Sequence, residues 1–244
     1  MTKAVILGGQ GEALAGRLQN KSLLKIRDKA MIRYVIDALL ETQCIDEILV
    51  IGDLEELKKL ALDETVRIKQ SSPSLIDNIQ MGIEAFPKKR ILISTSDIPM
   101  ITKDAINDFV GQSLALEADL CYSVVQKETL EGRYPEAKRT FVKLADGIFT
   151  GGNLFFVDTE KVGRYMEIGR KMLMHRKNPL RMCSLLGIKC LLKLVIGKLS
   201  IKDIETRVEN QMGIRGKAII STYPEVGNDI DKPEDILIAE KYII

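Results

Sequence analysis

Apolar residues cluster in short runs separated by polar stretches, and the period of those stretches changes along the chain. Short runs bounded by Gly, Ser or Asp predict strands over 3–7, 47–51, 65–69 and 90–95. Between them, helical spacing predicts helices over 31–42, 53–62 and 74–86; Ile32, Val35, Ile36, Leu39 and Leu40 share one face of the first. Asp53 and either Ser72 or Ser74 suit N-cap positions, with Pro73 near a first turn. A helix over 102–117, capped by Thr102, follows. Next come strands over 119–125, 139–145 and 153–157, with a turn at Asp146-Gly147 between the last two. A helical region then runs from about 159 to 212, and a strand over 217–221 and a helix over 233–241 complete the pattern. Alternating strands and helices imply a three-layer α/β/α, Rossmann-like, mostly parallel sheet with a helical insertion. The expected organisation is a single domain over 1–244, with the insertion at about 160–216.

Composition narrows this picture. Of 244 residues, 45% are hydrophobic, enough for a large core, and the net charge is only +2. The charge is unevenly placed: Lys161 to Lys217 holds fourteen Lys/Arg against four Asp/Glu, so the rest is acidic by about eight. An anionic partner is expected for that segment. Nucleic acid is not expected, because interleaved aromatics and zinc or basic-zipper patterns are missing. Four scattered cysteines (Cys44, Cys121, Cys183, Cys190) without a C-x-x-C argue against a disulfide framework or zinc site and fit the cytoplasm. The N-terminus runs straight into a strand, and no signal-peptide or spanning segment is expected.

The most informative chemistry lies at the start. Strand residues Ala4 to Leu7 run into Gly8, Gly9 and Gly11, which permit a sharp turn with backbone N–H groups facing an anion. Arg17 and Lys21 follow on the same loop, and a helix begins near Met31. This is neither a P-loop nor a dinucleotide fingerprint: G-x-x-x-x-G-K-[ST] is absent, and Leu14 stands where the last Gly of G-x-G-x-x-G belongs. The order describes a triphosphate clamp fed by a first strand. Loops after the first, third and fourth strands should open on one sheet edge, where open α/β sheets bind ligands.

Residues Leu7 to Ile36 resemble the nucleotidyltransferase superfamily, whose members include molybdenum-cofactor guanylyl- and cytidylyltransferases, sugar-phosphate nucleotidylyltransferases and methylerythritol-phosphate cytidylyltransferases. Arg17 and Lys21 match the family's Arg and Lys, and Ile26-Arg-Asp-Lys-Ala-Met-Ile its turn and helix start. Thr95-Ser-Asp-Ile-Pro99 is similar to its metal-binding Asp segment, and Asn228-Asp-Ile-Asp-Lys-Pro-Glu-Asp235 to its closing acidic element. The likeness spans about 3–157 and 217–241 and is nearest to the molybdenum-cofactor-transferase-like members. Particular to this chain are the longer loop through Glu12–Gly16, Asp28 and Ala30 in the turn, and residues 160–216.

The resemblance implies transfer of a nucleotidyl group from an NTP to a phosphorylated small-molecule acceptor, with Mg²⁺ and pyrophosphate release. Lys21, Arg17 and Asp97 would be catalytic, Lys21 on the α-phosphate and Arg17 on the β/γ oxygens. Asp97 and Asp231, with Asp229 as alternate, would hold Mg²⁺. Leu7, Gly8, Gly9, Gly11, Ser71 and Ser72 would line the nucleotide, the two serines reaching the base. Arg133, Lys138, Arg139, Gly152 and Asn153 would serve the acceptor, the last two from a Gly-containing loop, Thr150–Asn153.

Each assignment has a structural rival. Gly8 and Gly9 serve equally for a tight turn, Lys21 as a solvated loop lysine, Asp97 as a turn residue, and the D-x-D-x-P-E-D run as a helix start. The basic apolar segment 178–199 reads as a buried hairpin, a homodimer interface or a membrane-surface contact, and His175 as a surface residue. At the level of function, a glycosyltransferase using a nucleotide-sugar and a non-catalytic nucleotide-binding regulator are the alternatives, and molybdopterin is one acceptor among several.

Overall fold

The computed structural model describes residues 1–9, 20–166, 170, 181 and 184–243, the side chain of residue 164 excepted. The chain begins with β1 (Thr2–Gly8), whose central residues Ala4, Val5 and Ile6 have no exposed surface, as befits a strand covered on both faces. A ribbon of β2 (Lys25–Ile26) and β3 (Lys29–Ala30) leads into α1 (Met31–Leu40), which buries Met31, Ile32, Val35, Ile36, Ala38 and Leu39. Then follow β4 (Ile45–Gly52), α2 (Leu54–Lys58), β5 (Val66–Gln70), α3 (Leu75–Ala85), β6 (Arg90–Thr95) and α4 (Lys103–Ala115).

The caps have a common chemistry. The side chains of Asp53, Ser74 and Thr102 accept from the backbone N–H groups of Glu56, Asp77 and Ala105, satisfying donors that the helix leaves free. Helix α2 is shorter than its periodicity predicts. Ala61 adopts a positive φ of 46°, and Arg33 Nη1 donates to the carbonyls of Leu60 and Ala61, so a tertiary contact ends the turn.

The second half contains β7 (Leu120–Gln126), α5 (Lys127–Arg133), β8 (Val142–Leu144) and β9 (Gly147–Asp158). It adds one element and corrects two expectations. Residues 127–133 form a helix that the polar pattern does not announce. The strand expected over 139–145 is reduced to Val142–Leu144. The stretch Thr150–Asn153 lies inside β9 rather than in a loop, beside a register shift between Tyr122 and Val124 on β7. The glycines there are steric: a Cβ on Gly152 would overlap Ser123 Oγ and come within 2.9 Å of the Ser123 carbonyl oxygen.

Among the described residues there follow α6 (Thr159–Val162), α7 (Ile188–Val195), α8 (Ile201–Met212), β10 (Gly216–Ser221) and α9 (Pro233–Tyr242). Helix α8 starts with a reciprocal capping box between Ser200 and Asp203 and stops at Gly213, in the left-handed region at φ 67°. The reading of 178–199 as a wholly buried hairpin is corrected: Leu186, Cys190 and Leu199 are buried, whereas Leu185, Ile188, Leu192, Val195 and Ile196 face outward. The predicted His175 falls outside the described residues.

The main sheet runs β10-β7-β9-β6-β1-β4-β5, with β8 beside β9. Strand β9 is antiparallel to its neighbours and the other pairings are parallel. One face packs on α1, α4 and α9 around Leu39, Leu92 and Phe109; the other carries a core of Val5, Leu49, Ile51, Ile91 and Ile93 and a satellite of Leu186, Cys190, Leu199, Met212 and Ile214. Because β4 and β6 flank β1, the chain leaves β1 in one direction and later returns on its other side. The loops after β1 and β6 diverge at that switch, where a crevice opens at the carboxyl ends.

Candidate active site

Four segments meet at this edge. The loop after β1 ends in a 3-10 turn, Lys21–Leu23, whose position is set by buried Ser22: its hydroxyl donates to the Gly8 carbonyl at 3.3 Å and to Asn20 Oδ1 at 2.7 Å. This turn carries Lys21 across to the loop after β6. Lys21 Nζ lies 2.7 Å from Asp97 Oδ2 and 3.1 Å from Asp231 Oδ1. Asp97 is joined to the C-terminal segment through its backbone as well, since Ile230 N–H donates to the Asp97 carbonyl at 2.8 Å.

The acidic element divides its labour. Asp235 Oδ2 accepts from the backbone N–H groups of Asp231 and Lys232, both at 2.8 Å, and so caps α9. That leaves Asp229 and Asp231 to face Asp97: one carboxylate oxygen from each of the three lies within 4.8 Å of the others. The helix start and the acidic cluster are thus both real, built from different residues of one motif.

Arg139 enters this cluster through Asp229. Its side chain is 8% exposed; Nη1 sits 2.7 Å from Asp229 Oδ1, while Nη2 donates to Asn228 Oδ1 at 2.9 Å and to the Asp229 carbonyl. Arg133 and Lys138, the other basic residues expected at an acceptor, are exposed; Arg133 lies over the Tyr242 ring at 5.3 Å. Among the described residues, no hydrogen bond or ion pair joins either to the carboxylates.

The electrostatics follow from this packing. Burial pushes the Asp229 carboxyl up to about 6; Arg139 opposes the shift, and the neighbouring Asp97 and Asp231 charges add to it. Burial acts the same way on Asp231, but the Lys21 ammonium outweighs it and holds Asp231 below the usual carboxylate range. Lys21 is the mirror case: burial alone would lower it, and Asp97 with Asp231 hold it above the ordinary lysine value. Among the described residues, three carboxylates against Lys21 and Arg139 leave negative charge in excess. Asp97 Oδ1 is buried and has no hydrogen-bond partner among the described residues. An all-oxygen donor set with surplus negative charge and an unpartnered carboxylate oxygen fits a hard divalent cation such as Mg²⁺.

The phosphate-side residues are partly described. Leu7 pairs with Ile51 and Thr95 at the ends of the flanking strands, and Gly8 with Gly52. A Cβ on Gly9 would stand 2.9 Å from Asn78 Nδ2 and 3.7 Å from Ser71 Cβ, so the Gly turn abuts the loop after β5. Gly11 and Arg17 lie outside the described residues. The Ser71 N–H donates to the Gly52 carbonyl, and the Ser72 hydroxyl accepts from Ser74 N–H.

One residue of the site is not announced by the sequence pattern, and a second, already within the closing motif, gains a specific role. Asn78, 3% exposed, grips the Ser72 backbone at both ends, accepting from its N–H at 2.7 Å and donating to its carbonyl at 2.9 Å. A polar amide on the buried face of α3 is the one available signal. Asn228, 2% exposed, orients Arg139. On the acceptor side, Asn153 Nδ2 donates to the Val226 carbonyl at 3.1 Å, and Gly152 lies under Val226. Both therefore support the turn Pro224–Gly227 that delivers the acidic element.

Comparison with known proteins bears on the family and the fold. The profile of the MobA-like NTP transferase domain matches residues 4–184. A 2-C-methyl-D-erythritol 4-phosphate cytidylyltransferase from Alkaliphilus oremlandii is 25% identical over 138 residues, which are 52% of this chain and 57% of that enzyme; the aligned chain thus spans little more than half of the relative. The solved structure of a hypothetical transferase from Thermus thermophilus superposes with a TM-score of 0.83 at 32% identity, covering 96% of this chain and 99% of the other. A 2-C-methyl-D-erythritol 4-phosphate cytidylyltransferase from Francisella tularensis shares the fold, with a TM-score of 0.63 at 10% identity over 100% of both chains. A profile match over most of the chain, on a sheet with this strand order, establishes that the protein belongs to the MobA-like NTP transferase domain family, within the nucleotidyltransferases.

Proposed function

We propose that the protein transfers a nucleoside monophosphate group from an NTP to a phosphorylated small-molecule acceptor and releases pyrophosphate, with Mg²⁺ held by Asp97 and Asp231 and with Asp229 as the alternate ligand. The observation that carries the reading is the convergence of Lys21, Asp97, Asp229 and Asp231 beside the Gly8–Gly9 turn. The cytidylyltransferase relatives support the same reaction class.

An acceptor phosphate oxygen attacks the α-phosphorus, the bond from that phosphorus to the bridging oxygen breaks, and the electron pair leaves with pyrophosphate. The nucleophile is already anionic, so no residue has to remove a proton, and positioning with charge neutralisation supplies the rate. Mg²⁺, when bound, supplies neutralisation of phosphate charge. Lys21, positioned by Asp97 and Asp231, would meet the α-phosphate, and Arg17 the β/γ oxygens. Backbone N–H groups near Gly9 and Gly11 cradle the phosphates, and Ser71 and Ser72, held by Asn78, reach the base. Arg133 and Lys138 are the exposed cations on the acceptor side; Arg139 orients Asp229, and Gly152 and Asn153 hold the acidic turn in place. Residues 1–244 act as one domain in this reading, with 160–216 as a helical insertion. The free thiols of Cys44, Cys121 and Cys190 fit a cytoplasmic setting.

The test is pyrophosphate release from ATP, CTP, GTP and UTP with Mg²⁺ across sugar phosphates, polyol phosphates, a polyprenyl phosphate and molybdopterin, with Asp97→Ala in parallel. Release that requires one NTP, one acceptor and Asp97 is the expected result. Binding of an NTP without release from any acceptor would favour the regulatory alternative. Failure to bind any NTP would overturn the phosphate-clamp reading.

A further inference from the structure

Helix α7 has two apolar sides, and among the described residues only one packs against the core. Leu186, Cys190 and Leu199 close the satellite core, with Leu191 and Leu194 packed against it. Ile188, Leu192 and Val195 recur at i, i+4 and i+7 and are 65%, 57% and 69% exposed. Leu185 before the helix and Ile196 after it extend the same stripe at 37% and 63% exposure. Because the opposite side is anchored, α7 cannot rotate to bury the stripe against its own sheet.

The charge around the stripe identifies its occupant. Lys189 and Lys193 follow it along one edge, and Lys198 stands just beyond; all three are exposed. Lys193 is engaged by Asp203 at 2.7 Å. Of the nine Lys/Arg between Ile168 and Lys202, where the sequence has no Asp or Glu, Arg170 pairs with Asp77 at 3.2 Å, and Lys189 and Lys198 stand exposed beside the stripe. A second copy of this chain would bring like charge against like charge at such a face. An apolar stripe bordered by lysines is complementary to a bilayer surface, where the acyl boundary takes the stripe and anionic headgroups take the ammonium groups. Among the described residues no helix is long and apolar enough to cross a membrane, so the contact lies on the surface.

We infer that α7 and its flanks dock the protein reversibly on a membrane surface carrying anionic lipid, with Leu185, Ile188, Leu192, Val195 and Ile196 entering the interface and Lys189 and Lys198 meeting the headgroups. This docking is independent of the nucleotidyl-transfer reading.

The experiment is flotation of the full chain with vesicles of phosphatidylcholine alone and of phosphatidylcholine with about one third phosphatidylglycerol, at low and high salt. The wild type floats with the anionic vesicles, far less with neutral ones, and high salt weakens the association. Leu192→Asp with Val195→Asp abolishes flotation, and Lys189→Glu with Lys198→Glu weakens it roughly thirtyfold or more. All these positions are exposed, so thermal melting coincident with wild type confirms intact folding. Failure of the wild type to float with either vesicle, or flotation unaffected by both double variants, would overturn the inference. So would light scattering that shows a dimer of wild type converted to monomer by Leu192→Asp with Val195→Asp, since a second copy would then be the occupant.

Discussion

At the scale of single residues, Lys21 is the sharpest determinant. It joins the loop after β1 to the loops of Asp97 and Asp231, which lie 76 and 210 positions away in sequence. In the proposed reaction its positive charge acts on the transferred phosphoryl group. Lys21→Ala should therefore lower kcat by roughly 10²–10³, with a smaller change in KM, in a steady-state pyrophosphate assay. Asp119 provides a separate check on the fold. It is 7% exposed in its side chain and accepts from Arg215 N–H at 2.9 Å, from the Arg215 guanidinium at 3.2 Å and from Lys161 at 3.0 Å. Burial would raise its carboxyl, but the Arg215 backbone bond and the two cations prevail and hold it below the ordinary range. Its contribution to stability is thus complete above about pH 4 and is lost as the pH falls from there through the lowered folded value. Asp119→Asn should flatten the acid side of the stability–pH curve measured by denaturant unfolding while leaving its neutral-to-basic slope unchanged.

At the scale of elements, the parallel strands and their helices are readable because each carries a period and a cap. Strand β1 carries an uninterrupted apolar run from Ala4 to Leu7, and Asp53, Ser74 and Thr102 stand where helices begin. Helix α5 and the course of β9 through Gly151-Gly152 are not readable in this way. Glycine in a strand looks like a loop, and here it is imposed by the Tyr122 and Ser123 side chains of the neighbouring strand. Gly152→Ala tests this. The new methyl group would crowd the Ser123 backbone and Val226, costing roughly 1–3 kcal/mol in a denaturant melt, and its effect should extend through the Pro224–Gly227 turn to weaken cation binding by the acidic element.

At the scale of the whole molecule, the site is assembled at one edge of the sheet from the segments after β1 and β6, the stretch before β8 and the approach to α9. An assembly with surplus negative charge should gain stability when a divalent cation binds the folded state alone. Saturating Mg²⁺ at about a hundred times its dissociation constant should add about 2.7 kcal/mol, read as a concentration-dependent rise in Tm. EDTA should remove the rise, and Asp97→Asn should abolish it, because Asp97 contributes the buried, unpartnered oxygen.

The succession of strands and helices along the chain and the Gly turn followed by Lys21 were determined by the sequence itself, because periodicity, capping and turn chemistry are local properties that leave a mark at short spacing. The Asp97 segment and the closing acidic element were legible through their resemblance to the nucleotidyltransferases, and the order of strands in the sheet was set by tertiary packing. The partners were decided by tertiary structure. Only the packed sheet sets Asp229 against Arg139, assigns Asp235 to the helix cap, and locks Ser72 with Asn78. It also turns one side of α7 to the core and the other to the exterior. Charges and amides of this kind carry no periodic signal. Their roles depend on which burial penalty is offset by which neighbour, and that is settled when distant segments meet.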